Sequence, residues 1–128
     1  MMKFRYTIMY VENVEQTLAF YEQAFGLERA FLHESGDYGE LNTGDTKLSF
    51  SSLALMTSLG KHPSSGNPHS PNFEIAFETD DVAGNLANAL KTGAELVQKV
   101  EEMPWGQTTA YVRDLNGYLV EICTAVAG

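Results

Sequence analysis

The amino-acid sequence predicts an α+β fold made of two consecutive modules, each with the element order β-α-β-β-β. Its 128 residues match the usual size of one domain. Hydrophobic residues make up 44% of the chain, which is enough for a buried core. The apolar pattern near the start also recurs, because Val14 and Leu18 reappear 68 residues later as Val82 and Leu86.

The first module begins with a β-rich run at 6–11, followed by apolar residues at helical spacing from Val14 to Phe25. Asn13 is a favourable N-cap for this helix, and Gly26 is a favourable residue directly after its end. Three more strands are predicted at 28–34, 38–42 and 46–51, with a Thr-Gly-Asp turn before the last one.

The second module repeats this order with a strand at 74–79, a helix that starts after Asp81 and ends at Gly93, and strands at 95–100, 109–113 and 118–124. Three of the four prolines lie in the polar segment between the modules. We therefore predict module one at 1–57, a linker at 58–71 and module two at 72–128. Because a module of about 60 residues is marginal alone, both are expected to form one domain, 1–128.

Composition and charge exclude several classes of partner. The chain has 17 acidic and 8 basic residues and a formal charge of −9, so it should repel nucleic acid and anionic membrane surfaces. The single cysteine, Cys123, excludes an intrachain disulfide and a multi-cysteine zinc site. The N-terminus lacks a long apolar run, and no apolar stretch is long enough for a membrane span. We expect a soluble cytoplasmic protein.

Strand alternation separates each predicted sheet into two faces. One face carries apolar residues that suit packing against the helices, and the opposite face is unusually polar and aromatic. Such a face is either wetted by solvent or lines a ligand cavity, and a cleft between two related modules favours the cavity. The residues predicted on this face are Tyr6, Tyr10, Ser49, Glu74, Glu78, Tyr111, Arg113 and Glu121.

Several segments together resemble the vicinal oxygen chelate superfamily, which includes glyoxalase I, bleomycin-resistance proteins, fosfomycin-resistance enzymes and extradiol dioxygenases. These segments are YTIMYV at 6–11, TLAFY at 17–21, GL at 26–27, PWGQ at 104–107 and YVRDLNGYLVEI at 111–122. The resemblance covers nearly the whole chain. It implies that the two modules form an incomplete eight-stranded barrel, or cup, and that the protein is a homodimer.

The resemblance also implies where a metal would bind, with ligand positions at Tyr6, Ser49, Glu74 and Glu121. Glyoxalase I-like members carry His or Gln, Glu or His, His, and Glu at these positions. Tyr6 and Ser49 are poor ligands, so Glu74 and Glu121 are the remaining donors for nickel, zinc, manganese or iron. We expect no tightly bound metal, although those two residues are the ligands if one binds. His33, His62 and His69 are expected at the surface, and Cys123 is expected to be a small buried side chain.

The inward residues suggest both binding and acid–base chemistry. Two adjacent carboxyl groups, Glu74 and Glu121, are candidates for a catalytic general acid and base. Arg113 would either offset their charge or clamp a substrate carboxylate. Trp105 would be either a lid or a core residue. The predicted ligand contacts are Tyr6, Tyr10, Ser49, Trp105, Tyr111 and Arg113, whose aromatic rings suit a planar or cationic ligand.

The leading functional prediction is a bleomycin-resistance-like protein that holds a small organic ligand in the cup without a tightly bound metal. The alternative is a metal-dependent lyase, isomerase or dioxygenase of the glyoxalase I or extradiol type, with Glu74 and Glu121 as its metal ligands. A scaffold that keeps the fold without the chemistry is a third possibility.

Overall fold

The two predicted modules are present in the structure, a computed structural model that describes residues 1–126. The chain divides into a first unit, Met1–Ser65, and a second unit that begins at Gly66. This boundary falls within the segment predicted as the linker. Each unit contains one open four-stranded sheet of mixed strand direction, so the prediction of an α+β fold with two βαβββ modules is confirmed.

The first unit has its strands in the order β1-β4-β3-β2, with β1 parallel to β4 and the other pairs antiparallel. A short helix, α2, follows the last strand and was not predicted. Ser52 caps it by accepting a hydrogen bond from the Leu55 amide at 3.0 Å. The elements are β1 (Tyr6–Val11), α1 (Val14–Phe25), β2 (Glu28–Leu32), β3 (Tyr38–Asn42), β4 (Lys47–Ser52) and α2 (Leu53–Ser58).

The second unit repeats this topology, with strand order β5-β8-β7-β6 and β5 parallel to β8. The repeat in the sequence is therefore a repeat of structure. The elements of this unit are β5 (Ile75–Glu78), α3 (Val82–Thr92), β6 (Glu95–Glu102), β7 (Thr108–Arg113) and β8 (Leu119–Cys123).

The two long helices begin and end at the predicted residues. Asn13 Oδ1 accepts a hydrogen bond from the Gln16 amide at 2.9 Å, and Asp81 Oδ1 does the same for Gly84 at 2.9 Å. At the other end of α1, Gly26 has φ +69°, a backbone conformation that residues other than glycine rarely adopt. Because these signals are local, the sequence alone was sufficient to locate both helices.

Each helix covers one face of its own sheet and so fixes which strand residues turn away from it. In the first unit, Leu18 and Tyr21 of α1 are fully buried, and the Tyr21 ring lies 5.1 Å from that of Phe50 on β4. In the second unit, α3 packs against β6, β7 and β8. Apolar residues at alternate positions of β7 and β8 are buried, namely Ala110, Val112, Val120 and Ile122. Their neighbours on each strand therefore lie on the opposite face.

Two strands end two residues away from their predicted ends, and every other strand end agrees with the prediction within one residue. β2 ends at Leu32 because the chain turns there, with the Gly36 amide donating to the His33 carbonyl at 2.9 Å. β6 continues to Glu102, since its pairing with β7 persists to the Glu102–Thr108 pair. No helix within residues 1–126 is both long and apolar enough to cross a membrane.

Candidate functional site

Three of the predicted site residues meet on the second unit. Tyr111 and Glu121 are directly opposite each other on the antiparallel strands β7 and β8, and Glu74 directly precedes β5 on the other side of β8. The Tyr111 hydroxyl lies 2.9 Å from Glu121 Oε2 and 3.0 Å from Glu74 Oε2. We call these three residues the Tyr111 cluster.

The Tyr111 cluster has more acceptors than protons to share. The phenol has one O–H, so it donates to one carboxylate oxygen at a time, while the other oxygen is equally close. Burial raises the pKa of Tyr111 well above its ordinary value, and the hydrogen bonds to Glu121 and Glu74 add to this effect. The phenol is therefore neutral near pH 7, and the cluster as a whole favours a cation or a hydrogen-bond donor.

Arg113 lies on the same face of β7 as Tyr111, but its side chain contacts residues outside the Tyr111 cluster. Its Nε donates to the Pro68 carbonyl at 3.0 Å, and its Nη1 forms an ion pair with Glu95 Oε1 at 2.6 Å. Among the residues described, none of its polar contacts is with Glu74 or Glu121. Arg113 therefore ties the segment before β5 to the sheet.

Trp105 lies at the surface, in the turn between β6 and β7. Its side chain is 59% exposed, and Nε1 donates to Gln107 Oε1 at 2.8 Å. The alternative in which Trp105 packs in the core is therefore wrong. The next residue, Gly106, has a positive φ, which glycine adopts without steric cost.

Cys123 and the three histidines are located as predicted. Cys123 is buried, with Sγ 3.6 Å from the Phe77 carbonyl oxygen. Burial raises the pKa of its thiol, and the nearby Glu121 charge acts in the same direction. His33, His62 and His69 are all exposed.

The first unit carries the other two ligand positions implied by the resemblance. Ser49 on β4 pairs in register with Ile8 on β1, and Tyr6 lies two residues before Ile8 on the same face. Tyr6 is 47% exposed, whereas Ser49 is fully buried. Tyr10 is half-buried on the same strand as Tyr6.

Two further residues on this face were missed by the sequence analysis. The Tyr38 hydroxyl donates to Glu40 Oε2 at 2.8 Å, and Glu40 lies directly opposite Ser49. Burial raises the pKa of Tyr38; the adjacent Ser49 hydroxyl opposes the rise and Glu40 adds to it. The alternation of strand residues identifies Tyr38 and Glu40, because the residues that alternate with them, Gly39 and Leu41, are buried.

The residues present do not fit the metal site that the resemblance implies. A metal of the nickel, zinc or iron type prefers imidazole ligands, and the positions concerned hold Tyr, Ser, Glu and Glu. The Oε2 atoms of both glutamates are within hydrogen-bond distance of one phenol. Within residues 1–126 there is no group of three or more His, Cys, Asp or Glu side chains that could hold a metal ion.

Comparisons with known proteins agree with this architecture. Residues 4–127 match the family described as "Glyoxalase-like domain". A search of curated proteins gives no match. A glyoxalase/bleomycin resistance protein/dioxygenase family enzyme from Burkholderia phytofirmans PsJN superposes with a TM-score of 0.83 at 21% identity, covering 98% of this chain and 100% of that one.

Two other solved structures have the same fold. A glyoxalase-related enzyme from Fulvimarina pelagi has a TM-score of 0.82 at 18% identity, covering 98% of this chain and 89% of its own. TioX from Micromonospora sp. ML1 has a TM-score of 0.73 at 17% identity, covering 95% of this chain and 98% of its own. At these identities the likeness shows a shared fold and nothing about the ligand.

Proposed function

Because this chain belongs to the glyoxalase-like domain family of the vicinal oxygen chelate superfamily, we propose that it is a small-molecule-binding protein that holds an organic ligand without a tightly bound metal. The ligand would lie on the polar and aromatic sheet faces that turn away from the helices. We further propose that the protein acts in the cytoplasm, as a homodimer.

The observation that carries this proposal is the position of the Tyr111 hydroxyl. It lies within 3.0 Å of one oxygen of Glu74 and one oxygen of Glu121, the two residues with ligand chemistry. The phenol has one proton for two carboxylates, and a metal ion held by both glutamates would compete with the hydrogen bond that it donates.

The chemistry of this face suits a ligand with an aromatic portion and a cationic or hydrogen-bond-donating group. The whole chain has a formal charge of −9, and the Tyr111 cluster concentrates two carboxyl groups around one donor. Each unit also has an exposed ring that offers stacking surface: Tyr6 on the first unit is 47% exposed, and Trp105 on the second unit is 59% exposed. If the ligand is chemically changed, Glu74 and Glu121 are the residues placed to exchange a proton with it.

The first experiment is elemental analysis of the purified protein before and after incubation with nickel, zinc, manganese and ferrous salts. We expect no ion near one equivalent per chain. Glu121→Gln removes one carboxylate of the Tyr111 cluster, and Glu101→Gln is the matched control because Glu101 is exposed on β6. One bound ion per chain that is lost in Glu121→Gln and kept in Glu101→Gln would overturn the proposal in favour of the metal-dependent lyase, isomerase or dioxygenase.

The second experiment identifies the ligand class. A thermal-shift screen of cationic and aromatic natural products should give stabilising compounds whose effect is reduced in Tyr111→Phe. Because Trp105 is the only tryptophan in the chain and is exposed, its fluorescence provides an independent binding signal. A screen without a stabilising compound, together with metal-free protein, would contradict ligand binding and leave the scaffold alternative.

A further inference from the structure

A second group of polar and aromatic residues lies on the first unit, centred on Glu40. Phe31, Glu40 and Ser49 face one another across β2, β3 and β4, because they are paired in register. Tyr38 lies two residues before Glu40 on the same face, and its ring is 6.5 Å from that of Phe31. We call Phe31, Tyr38, Glu40 and Ser49 the Glu40 cluster.

Glu40 is a half-buried carboxylate without a cationic partner. The ion pairs within residues 1–126 are Glu22 with Arg29 and Glu95 with Arg113, and neither involves Glu40. Among the residues described, the polar contact of its side chain is the hydrogen bond that Oε2 accepts from the Tyr38 hydroxyl at 2.8 Å. A carboxylate accepts several hydrogen bonds, and the contact with Tyr38 uses Oε2 alone, so Glu40 retains capacity for a positively charged donor.

Ser49 provides an independent sign that this cluster is incomplete. Its side chain is fully buried, and Oγ has no hydrogen-bond partner among the residues described. Buried hydroxyl groups are nearly always hydrogen-bonded, because an unmet one keeps its desolvation cost. The polar neighbour of Ser49 is the Tyr38 hydroxyl, which donates its hydrogen bond to Glu40. A small rotation of that O–H toward Ser49 would satisfy Ser49 and free Glu40 Oε2.

The rings around Glu40 define the kind of cation that fits. Phe31 is 45% exposed beside Tyr38, and Tyr6 is 47% exposed on the same face of the sheet. Aromatic faces attract organic cations through the ring quadrupole, and a carboxylate accepts hydrogen bonds from a primary ammonium group. A hydrated inorganic ion gains less from such rings, so the surroundings favour an organic ammonium ion.

We propose that the Glu40 cluster binds a primary organic ammonium group, with Glu40 as its counter-ion, Phe31 and Tyr38 as its aromatic walls, and Ser49 as the acceptor to which Tyr38 turns. This inference deepens the proposed function and rests on it, because it names the ligand chemistry of the binding face on the first unit. It concerns residues that are separate from the Tyr111 cluster.

The test uses 2-phenylethylammonium as the probe and the neutral isostere 2-phenylethanol as its comparison, with affinities measured by calorimetry on the full chain. We expect the ammonium to bind more tightly than the alcohol. Glu40→Gln should weaken ammonium binding by at least about tenfold, since it removes a charge-assisted hydrogen bond. Glu28→Gln is the matched control, because Glu28 is exposed on the adjacent strand of the same sheet, and it should leave the affinity unchanged.

Ser49→Ala separates the proposed switch from a general effect on folding. Removing an unpartnered buried hydroxyl should leave the melting temperature equal or higher, while ammonium affinity falls by about threefold because Tyr38 has nowhere else to donate. Backbone amide shifts of residues 38–42 on probe addition should confirm the location. Ammonium binding that survives in Glu40→Gln and is lost in Glu121→Gln would overturn this inference and support the proposed function. Equal affinity for the alcohol would overturn the ammonium assignment, and no binding of any screened compound would contradict both proposals.

Discussion

Replacement of Tyr111 by phenylalanine tests the central geometry most directly. The hydroxyl lies 2.9 Å and 3.0 Å from the two glutamate Oε2 atoms, which can then be at most about 6 Å apart. Two unit charges at about 6 Å repel by roughly 0.7 kcal/mol in water and by roughly 3 kcal/mol at an effective dielectric constant of about 20. Without the phenolic proton, the two carboxylates lose the donor that lies between them.

The expected loss in free energy of unfolding follows from these contacts. A hydrogen bond to a charged group contributes about 1.5–3 kcal/mol, and the exposure of Glu74 reduces this through solvent screening. We expect Tyr111→Phe to destabilise the protein by about 1–2 kcal/mol in urea denaturation at pH 7. Tyr6→Phe is the control, because it removes a half-exposed hydroxyl with no hydrogen bond to the described residues, and it should change stability by less than about 0.5 kcal/mol.

The same variant should alter the alkaline part of the stability curve. The pKa of Tyr111 is raised in the folded state, so its contribution is complete below the unfolded pKa near 10 and is lost as the pH rises toward the folded pKa. Each such tyrosine lowers stability by at most about 1.4 kcal/mol per pH unit in that range. In Tyr111→Phe the free energy of unfolding should fall less steeply with rising pH. Some slope should remain, because the pKa of Tyr38 is also raised. Unchanged stability at pH 7 together with an unchanged alkaline slope would refute the hydrogen-bonded cluster.

Three further predictions concern the fold and the thiol. Asn13→Ala removes the cap of α1 and should lower the free energy of unfolding by about 1 kcal/mol; an unchanged denaturation midpoint would contradict the capping role. Gly39→Ala would place a methyl group 2.6 Å from Leu18 Cδ1, so it should destabilise the protein by about 1–3 kcal/mol in the same assay, and equal stability would mean that α1 yields without cost. Cys123 should react with iodoacetamide at pH 8 at least about tenfold more slowly in the native protein than in urea, since burial raises the thiol pKa; equal rates would show that the thiol is accessible.

Much of the fold was predictable because its signals are short-range. The N-cap, the spacing of apolar residues and the glycine after each long helix each depend on contacts between residues a few positions apart, so α1 and α3 could be located from the sequence. The recurrence of this pattern then predicted the two modules. Helix α2 was missed, since its six residues have too little periodicity to distinguish them from the start of a linker.

For the candidate site, strand alternation predicted which residues share a face of the sheet, and no more than that. Alternation placed Tyr111 and Glu121 on the same face, and the repeat placed Glu74 at the edge of the adjacent strand. It does not determine which side-chain atoms meet, so the shared contact of one phenol with two carboxylates came only from the structure. The same limit explains Arg113, whose partners Pro68 and Glu95 depend on how a loop and the edge strand β6 approach β7.

The sequence by itself therefore determined the class of fold, the ends of the long helices and the shared face of Tyr111 and Glu121. The tertiary structure decided which of those polar residues share protons, which carboxylates lack a counter-ion and which hydroxyl is buried without a partner. The physical reason is that secondary structure follows from interactions between neighbours in the chain, whereas hydrogen bonds of 2.8–3.0 Å depend on side-chain positions set by packing across several strands.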